Sequence, residues 1–274
     1  MLKNLLTFLS KNLLAILWGI LSVLYPYSFK PTDCVVVMDV GQGDSILIQK
    51  GRYQVIIDGG PDISLLYSLP KYIPLDDREI EVVILTHPHD DHIKGILELL
   101  KRYTVKELWL YPVCFNNQNY TNLLNSGVDI RYIYSGLKFE YLDIKMDILW
   151  PKQKDFNSCY TSWDGNINND SVVIGMEYLN RSFLFMGDAE MPVEKGLLDI
   201  YGEKLKSNVL KVGHHCSKSS SSETFIKMVE PDIAICSCSR ENKFGHPDRG
   251  TVEKFLLQRV QVFNTYSSHD LLFR

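Results

Sequence analysis

The sequence predicts an α/β fold in which two sheets pack together with helices on the outside, and three observations carry that prediction. Short apolar runs rich in β-branched residues recur along the chain after Pro31. Most are too short to be helices. Stretches with helical spacing fall between them, so that two strand-rich halves each carry inserted helices.

The first element in order is an apolar segment. Residues 1–29 hold two charges, Lys3 and Lys11, and the run LLAILWGILSVLYPYSF. A spanning helix needs roughly 20 apolar residues. Residues 5–25 reach that length if Lys11 extends its amine toward the headgroups. No small-residue cleavage site follows, which argues against a removable signal peptide. The expectation is a membrane anchor ending near Pro26, or the last transmembrane helix of a larger protein, with a helix packed on the soluble domain as the alternative. Lys3 and Lys11 lie on its amino-terminal side, which places the remainder on the extracytoplasmic side.

Residues 31–274 form the second region. CVVVMDV (34–40), SILIQ (45–49) and YQVIID (53–58) are three β-rich runs, with Gly41, Gly43 and Gly51 in the turns. REIEVVILT (78–86) is apolar, short and β-branched, hence a buried strand. HIKGILELLKRY (92–103) has helical spacing, VKELWLY (105–111) is a strand, and FEYLDIKMDILW (139–150) is one or two more. A polar loop covers 151–170. SVVIGMEYL (171–179) and RSFLFMGD (181–188) read as a hairpin around Asn180–Arg181, followed by a helix over 190–202. SNVLKVGHH (207–215), a Ser-rich helix start, PDIAICS (231–237) and VQVFNTY (260–266) complete the series.

Composition bounds the function. With 45% apolar and 23% charged residues the chain has ample material for a core, and its net charge of −4 argues against a protein dominated by basic nucleic-acid contacts. The six cysteines lack the spacing of a disulfide framework. Cys236 and Cys238 lie two apart in a strand-like run and share one side of it, reading as buried free thiols rather than a metal or redox pair. Lys204, Lys206, Lys211 and Lys218 cluster around the double-histidine strand, as a solvated face or as a guide for phosphates.

The chemistry concentrates in LTHPHDDHIKG (85–95). Three histidines and two aspartates directly follow an apolar strand and precede a helix. His87 and His89 flank Pro88, so their rings can converge on one ion, with Asp91 and His92 placed for a second beside it. Imidazole with carboxylate suits Zn²⁺ or Mn²⁺. A solvated turn whose aspartate caps the helix is the bland alternative. FLFMGD ends a strand at Asp188, which bridges two ions or caps the next helix. LKVGHHCS ends another strand at His214 and His215, a pair hard to explain by packing.

The pattern H-x-H-x-D-H, then a strand-end Gly-Asp and a strand-end His, resembles the metallo-β-lactamase superfamily. DVGQGDSILI, IDGG, LTHPHDDHIKG, FLFMGD, LKVGHHCSKSSSS and FGHP, in order from Asp39 to Thr265, resemble the carboxyl-terminal domain of ComEC-type competence proteins, the bacterial DNA-uptake channels. That resemblance implies an αββα sandwich holding two divalent metal ions, Zn²⁺ or Mn²⁺. It places His87 and His89 on the first, and Asp91, His92 and one of His214/His215 on the second, with Asp188 bridging. His215 is the chosen ligand, leaving His214 to contact a substrate phosphate, while Asp58 supports the metal turn from behind. The wider superfamily has another histidine ligand before the bridging aspartate. None lies between His92 and His214 here. Asp170 is the candidate in that region for contact with metal or substrate, with Ser171 beside it. Cys216 also stands where the family usually has glycine, as a metal-binding thiolate or a small buried thiol.

The implied reaction is in-line hydrolysis of a phosphodiester by a metal-activated water, with Asp91 and His214 at the reacting atoms and His246 able to protonate the leaving group. Lys218 and the free N–H groups of the helix start after it would favour an anion. Three readings follow. One is a nuclease acting on single-stranded DNA during uptake, in contact with other parts of a competence channel. The second is a small-molecule phosphoesterase, and the third a non-catalytic domain in which metal holds DNA. β-Lactam hydrolysis fits least, because a required ligand is missing.

Overall fold

The computed structural model describes residues 12–20, 22, 32–153 and 162–274. Residues 12–20 are helical (α1), with Leu14 and Trp18 exposed. No helix among the described residues is long and apolar enough to cross a membrane. The rest of the expected anchor over 1–29 lies outside the described residues.

Two seven-stranded sheets follow. The first contains β1 (Cys34–Val37), β2 (Ile46–Lys50), β3 (Tyr53–Ile57), β4 (Glu79–Leu85), β5 (Thr104–Leu110), β6 (Asp129–Tyr132) and β14 (Leu271–Phe273), in the order β14-β1-β2-β3-β4-β5-β6. The second contains β7 (Lys138–Tyr141), β8 (Ile144–Trp150), β9 (Val173–Tyr178), β10 (Arg181–Phe185), β11 (Val209–Lys211), β12 (Ile233–Cys236) and β13 (Gln261–Asn264), in the order β13-β12-β11-β10-β9-β8-β7. Their inner faces share one core, in which Phe183, Phe185, Val209 and Ile235 of the second sheet meet Val35, Ile56 and Val83 of the first. Helices lie outside: α2 (Ser64–Ser68), α3 (Asp90–Leu99) and α4 (Gln118–Leu124) with the first sheet, and α5 (Met191–Tyr201), α6 (Glu223–Val229) and α7 (Arg249–Leu257) with the second. A short α8 (Thr265–Ser268) leads into β14. The αββα sandwich is the expected fold.

Each sheet changes character at its middle. β1, β2 and β3 are antiparallel neighbours, whereas β3, β4, β5 and β6 run parallel. In the second sheet β7 to β10 are antiparallel and β10 to β13 parallel. Parallel neighbours bring their carboxyl ends to one edge, the place where α/β proteins gather binding groups. The segments carrying Asp58, His87–His92, Asp188 and His214–His215 leave four such ends, those of β3, β4, β10 and β11.

Some expectations are corrected. The β9–β10 turn is Leu179–Asn180, both left-handed (φ 56° and 55°), and Arg181 already belongs to β10. Cys216 and Cys236 are joined in a disulfide rather than free, because parallel neighbours β11 and β12 deliver them side by side. Cys114 is disulfide-bonded as well, and Cys34 and Cys238 are buried free thiols. The four lysines form no common patch: Lys211 is fully buried, while Lys206 pairs with Glu230.

The carboxyl-terminal segment is clasped onto the first sheet. β14 pairs antiparallel with β1. Just before it, Asp270 accepts hydrogen bonds from Asp39 N (2.9 Å), Tyr72 Oη (2.8 Å) and Lys71 Nζ (2.8 Å). Burial pushes the Asp270 pKa up, but Lys71 and the other donors outweigh it and hold the carboxyl below its ordinary value.

Candidate metal centre

At the end of β4 the chain turns outward, and α3 begins immediately at Asp90. The first residue after the strand is buried Thr86, whose N–H and hydroxyl donate to the two oxygens of Asp58 at 2.8 and 2.7 Å. Asp58 also accepts from His92 Nδ1 at 2.8 Å. That fixes the His92 ring with Nε2 facing the opposite way, toward Asp188 Oδ1 at 3.4 Å. His87 and His89 lie beside it, His87 Nε2 being 3.0 Å from His89 Nδ1 and 3.7 Å from Asp188 Oδ2.

The second sheet brings the rest. Asp188 follows Gly187 (φ 52°), where a side chain would press on Ser171 and Thr86 at 3.0 Å. The Ser171 hydroxyl accepts from Asp188 N at 3.0 Å, so this buried serine holds the aspartate's backbone. Beyond β11, His214, His215 and Cys216 take left-handed conformations in succession (φ 48°, 55° and 62°). Such residues cost about 1–3 kcal/mol each and persist only where the surroundings impose them. Here His214 N donates to Gly187 O (3.1 Å), Asp248 N to Cys216 O (2.8 Å) and Ser220 Oγ to Gly213 O (2.8 Å), and the disulfide ties Cys216 to β12. The contorted turn points His215 Nε2 at Asp91 Oδ2 and Asp188 Oδ2, each 3.4 Å away.

Two groups of donor atoms meet at Asp188, and a third, Asp44 and Asp58 with His92, lies behind them. One atom each from Asp91, His92, Asp188 and His215 lie within 4.8 Å of one another, as do those of His87, His89 and Asp188. Among the described residues, His92 Nε2, His215 Nε2 and Asp188 Oδ1 are buried and make no well-formed hydrogen bond. Buried polar atoms are almost always satisfied. Unsatisfied imidazole and carboxylate donors that converge are what a divalent cation would complete, so the residues fit one.

Electrostatics agree. Burial raises the Asp188 pKa, but His215, His92 and His87 outweigh it and hold the carboxyl well below the ordinary range. Burial would lower the His92 and His215 pKa values, yet Asp188 and the neighbouring carboxylates push both well above. The site is therefore built to carry positive charge beside Asp188. His87 goes the other way: burial and the repulsion of His92 lower it well below normal, leaving a neutral imidazole suited to ligation.

The remaining candidates are placed differently. His214 is part-exposed, with Nδ1 2.8 Å from Glu190 Oε1 and Nε2 4.0 Å from Asp188 Oδ2. The His246 ring centre is 5.4 Å from that of His214 and 6.2 Å from that of His215. Burial and those two rings lower its pKa to about 4. At neutral pH it is a hydrogen-bond partner rather than a store of a second proton. Asp170 is buried at the end of the 3₁₀ turn Ile167–Asp170, and Lys218 is exposed. The helix start expected to hold an anion lies away from the double histidine, because α6 begins at Glu223 and is capped by Ser222 Oγ.

Sequence reasoning missed three supports. Glu190 holds His214 and accepts from Ser219 Oγ at 2.9 Å. Asp44 and Lys211 form a buried ion pair beside His215. A lysine inside the apolar strand run VLKV was the available signal, since an unpaired buried ammonium is not tolerated.

Comparisons with known proteins bear on this centre. The chain is 28% identical over 266 residues to ComE operon protein 3 of Bacillus subtilis, covering 88% of this chain and 33% of that protein. It is 33% identical over 249 residues to Recombination protein 2 of Haemophilus influenzae, covering 89% and 29%. The chain thus spans about a third of the length of these relatives. Among solved structures, the metallo-beta-lactamase fold protein YhfI from Bacillus subtilis superposes with a TM-score of 0.59 at 13% identity, over 88% of this chain and 100% of that one. Zn²⁺-bound PqqB from Methylobacterium extorquens gives 0.55 at 12%, over 88% and 99%. The Metallo-beta-lactamase superfamily itself matches over residues 38–114 and 166–240, which hold Asp58, the H-x-H-x-D-H turn, Asp188 and His215, and the chain belongs to that superfamily.

Proposed function

We propose that this chain is a metal-dependent phosphodiesterase that cuts single-stranded DNA during uptake, using two divalent cations, Zn²⁺ or Mn²⁺. The observation that carries the reading is the convergence of six ligand-type side chains from three strand ends, with buried donor atoms that have no hydrogen-bond partner among the described residues. His87 and His89 with Asp188 would hold one cation, and Asp91, His92 and His215 with Asp188 the other. Cations in such a pair supply Lewis acidity toward a phosphoryl oxygen and, for zinc, lower the pKa of water to about 7.

The chain's own residues do the rest. Glu190 fixes His214 so that Nε2 faces the centre, where it would contact a non-bridging oxygen of the substrate. Gln42 Nε2 lies 3.4 Å from His246 Nδ1. With the amide donating, His246 keeps its proton on Nε2, free to hydrogen-bond a leaving oxygen. Lys218 is exposed for contact with a phosphate backbone, whereas Asp170 and Ser171 are buried, Ser171 behind Asp188, and support the site rather than touch the substrate. Similarity to Competence protein ComA of Neisseria gonorrhoeae, 24% identical over 93% of this chain, supports a role in competence. Two disulfide-bonded regions favour an oxidising, extracytoplasmic setting. The exposed apolar residues of α1 favour attachment to a membrane.

The test uses the full chain in mild detergent with Mn²⁺ or Zn²⁺, end-labelled single-stranded DNA and, separately, a phosphocholine ester. Cutting of DNA that Asp188→Ala abolishes supports the proposal. Hydrolysis of the small ester alone moves the function to a small-molecule phosphoesterase. Bound cations with neither activity leave a metal-stabilised binding domain.

A further inference from the structure

We propose that Asp44, braced by Lys211, is a positioning residue for the ligand His215, and that this is the role of the loop DVGQGDS. The inference rests on the metal-centre reading above. Asp44, Lys211 and His215 are each no more than 1% exposed. Lys211 Nζ donates to Asp44 Oδ2, and to Gly187 O at 3.0 Å, next to Asp188. The other oxygen, Asp44 Oδ1, is 3.5 Å from His215 Nδ1. That distance is longer than an ordinary hydrogen bond, and among the described residues neither atom has a well-formed partner. The two face each other as acceptor and donor.

The two nitrogens of His215 therefore face different worlds. Nδ1 faces a carboxylate that only accepts, whereas Nε2 faces Asp91 and Asp188. A carboxylate behind a ligating histidine selects the tautomer whose other nitrogen carries the lone pair, and raises its basicity. His215 needs such a partner because it sits in a left-handed turn, where no helix or strand fixes its ring.

The loop is shaped for this approach. Gly43 (φ 147°) lies so close to the backbone of Asp91 that a Cβ would collide with it. Only glycine lets the loop pass beneath α3 and deliver Asp44 to the opposite sheet. Lys211 then neutralises a carboxylate that would otherwise be buried unpaired beside Asp58. Its place at the end of the otherwise apolar strand β11 follows from that need.

A merely structural pair would also join the two sheets, so the test separates stability from metal binding. The replacement Asp44→Leu with Lys211→Met removes both charges at similar volume, a change that buried ion pairs often tolerate. Full-length protein stripped of cations is titrated with Zn²⁺ against a chromophoric chelator, and its melting temperature is recorded. The double variant is expected to fold and to bind one of its two ions about 10–100-fold more weakly. Asp44→Asn with Lys211→Met, which returns an acceptor oxygen without the charge, is expected to recover part of that loss. Native affinity for both ions in a folded Leu/Met variant, or affinity that merely tracks melting temperature, overturns the inference. If the unmutated chain takes up no divalent cation, the metal-centre reading itself fails, and the titration of that chain alone reveals it.

Discussion

On one side of Asp188 stand His87 and His89, and on the other Asp91, His92 and His215; the two groups are supported in different ways. Behind His92 lies Asp58, itself gripped by both donors of Thr86, and behind His215 lies Asp44 with Lys211. Behind His87, among the described residues, lies the Thr86 hydroxyl, 3.2 Å from its Nδ1. That hydroxyl spends its proton on Asp58, so it can only accept from His87. His89 leans on the Phe115 ring, with ring centres 5.4 Å apart. Carboxylates hold one half of the centre, whereas a hydroxyl and an aromatic edge hold the other. Such outer partners set metal affinity by roughly 10–100-fold each, so the two halves should bind unequally.

The largest effect is expected from the ligands themselves. His92→Ala should empty the carboxylate-backed half and cost hydrolysis about 1000-fold, several kcal/mol of transition-state stabilisation. His89→Ala should lose one equivalent of metal and keep the tight one. Metal content by elemental analysis, alongside rate, checks both. If the two variants lose the same ion with the same affinity, the halves are equivalent and the comparison breaks.

Removing all cations is the intermediate case. A ligand present at 100 times its dissociation constant stabilises a fold by about 2.7 kcal/mol. Chelation should therefore lower the melting temperature by roughly 5–10 °C for a chain of this size. Returning Zn²⁺ in small steps should restore it in two stages, most of the gain at the first equivalent. A single stage would show that the two halves fill together.

The smallest effect lies outside the centre and sharpens the contrast as a control. Asp270→Asn weakens the clasp on β1 and should cost about 1–3 kcal/mol without changing metal content. Because the folded carboxyl is held below its ordinary value, its contribution is present above the unfolded value near 3.9. It is lost as pH falls through the lower folded value. The unmutated chain should thus lose more stability than the variant between pH 7 and pH 3 in thermal melts.

What the sequence made legible follows from local physics. β-Branched runs such as EVVIL could be read as strands, and charged residues placed directly after them could be read as ligands, because both signals are contiguous. β6 (DIRY) and β14 (LLF) escaped, being too short and, for β6, too polar for any pattern. α4 begins with QNYTN, whose polarity resembles a loop until Asn117 is seen capping it. Asp44 and Lys211 meet across 167 residues, and Cys216 meets Cys236 only because β11 and β12 are neighbours. Contacts between elements far apart in sequence leave no mark within a window of it.

The pairing of β14 with β1 carries a consequence for how the chain is made. Asp39 and Asp270 touch although they are 231 residues apart. During synthesis β1 leaves the ribosome long before its partner exists, so one edge of the first sheet stays open until translation reaches β14. An unpaired strand edge is a template for wrong partners. β2, β3 and β4 can assemble meanwhile, and the last step is the closing of a very long loop, whose entropy grows only as the logarithm of its length. Whatever holds the nascent chain away from its neighbours in that interval protects β1 first.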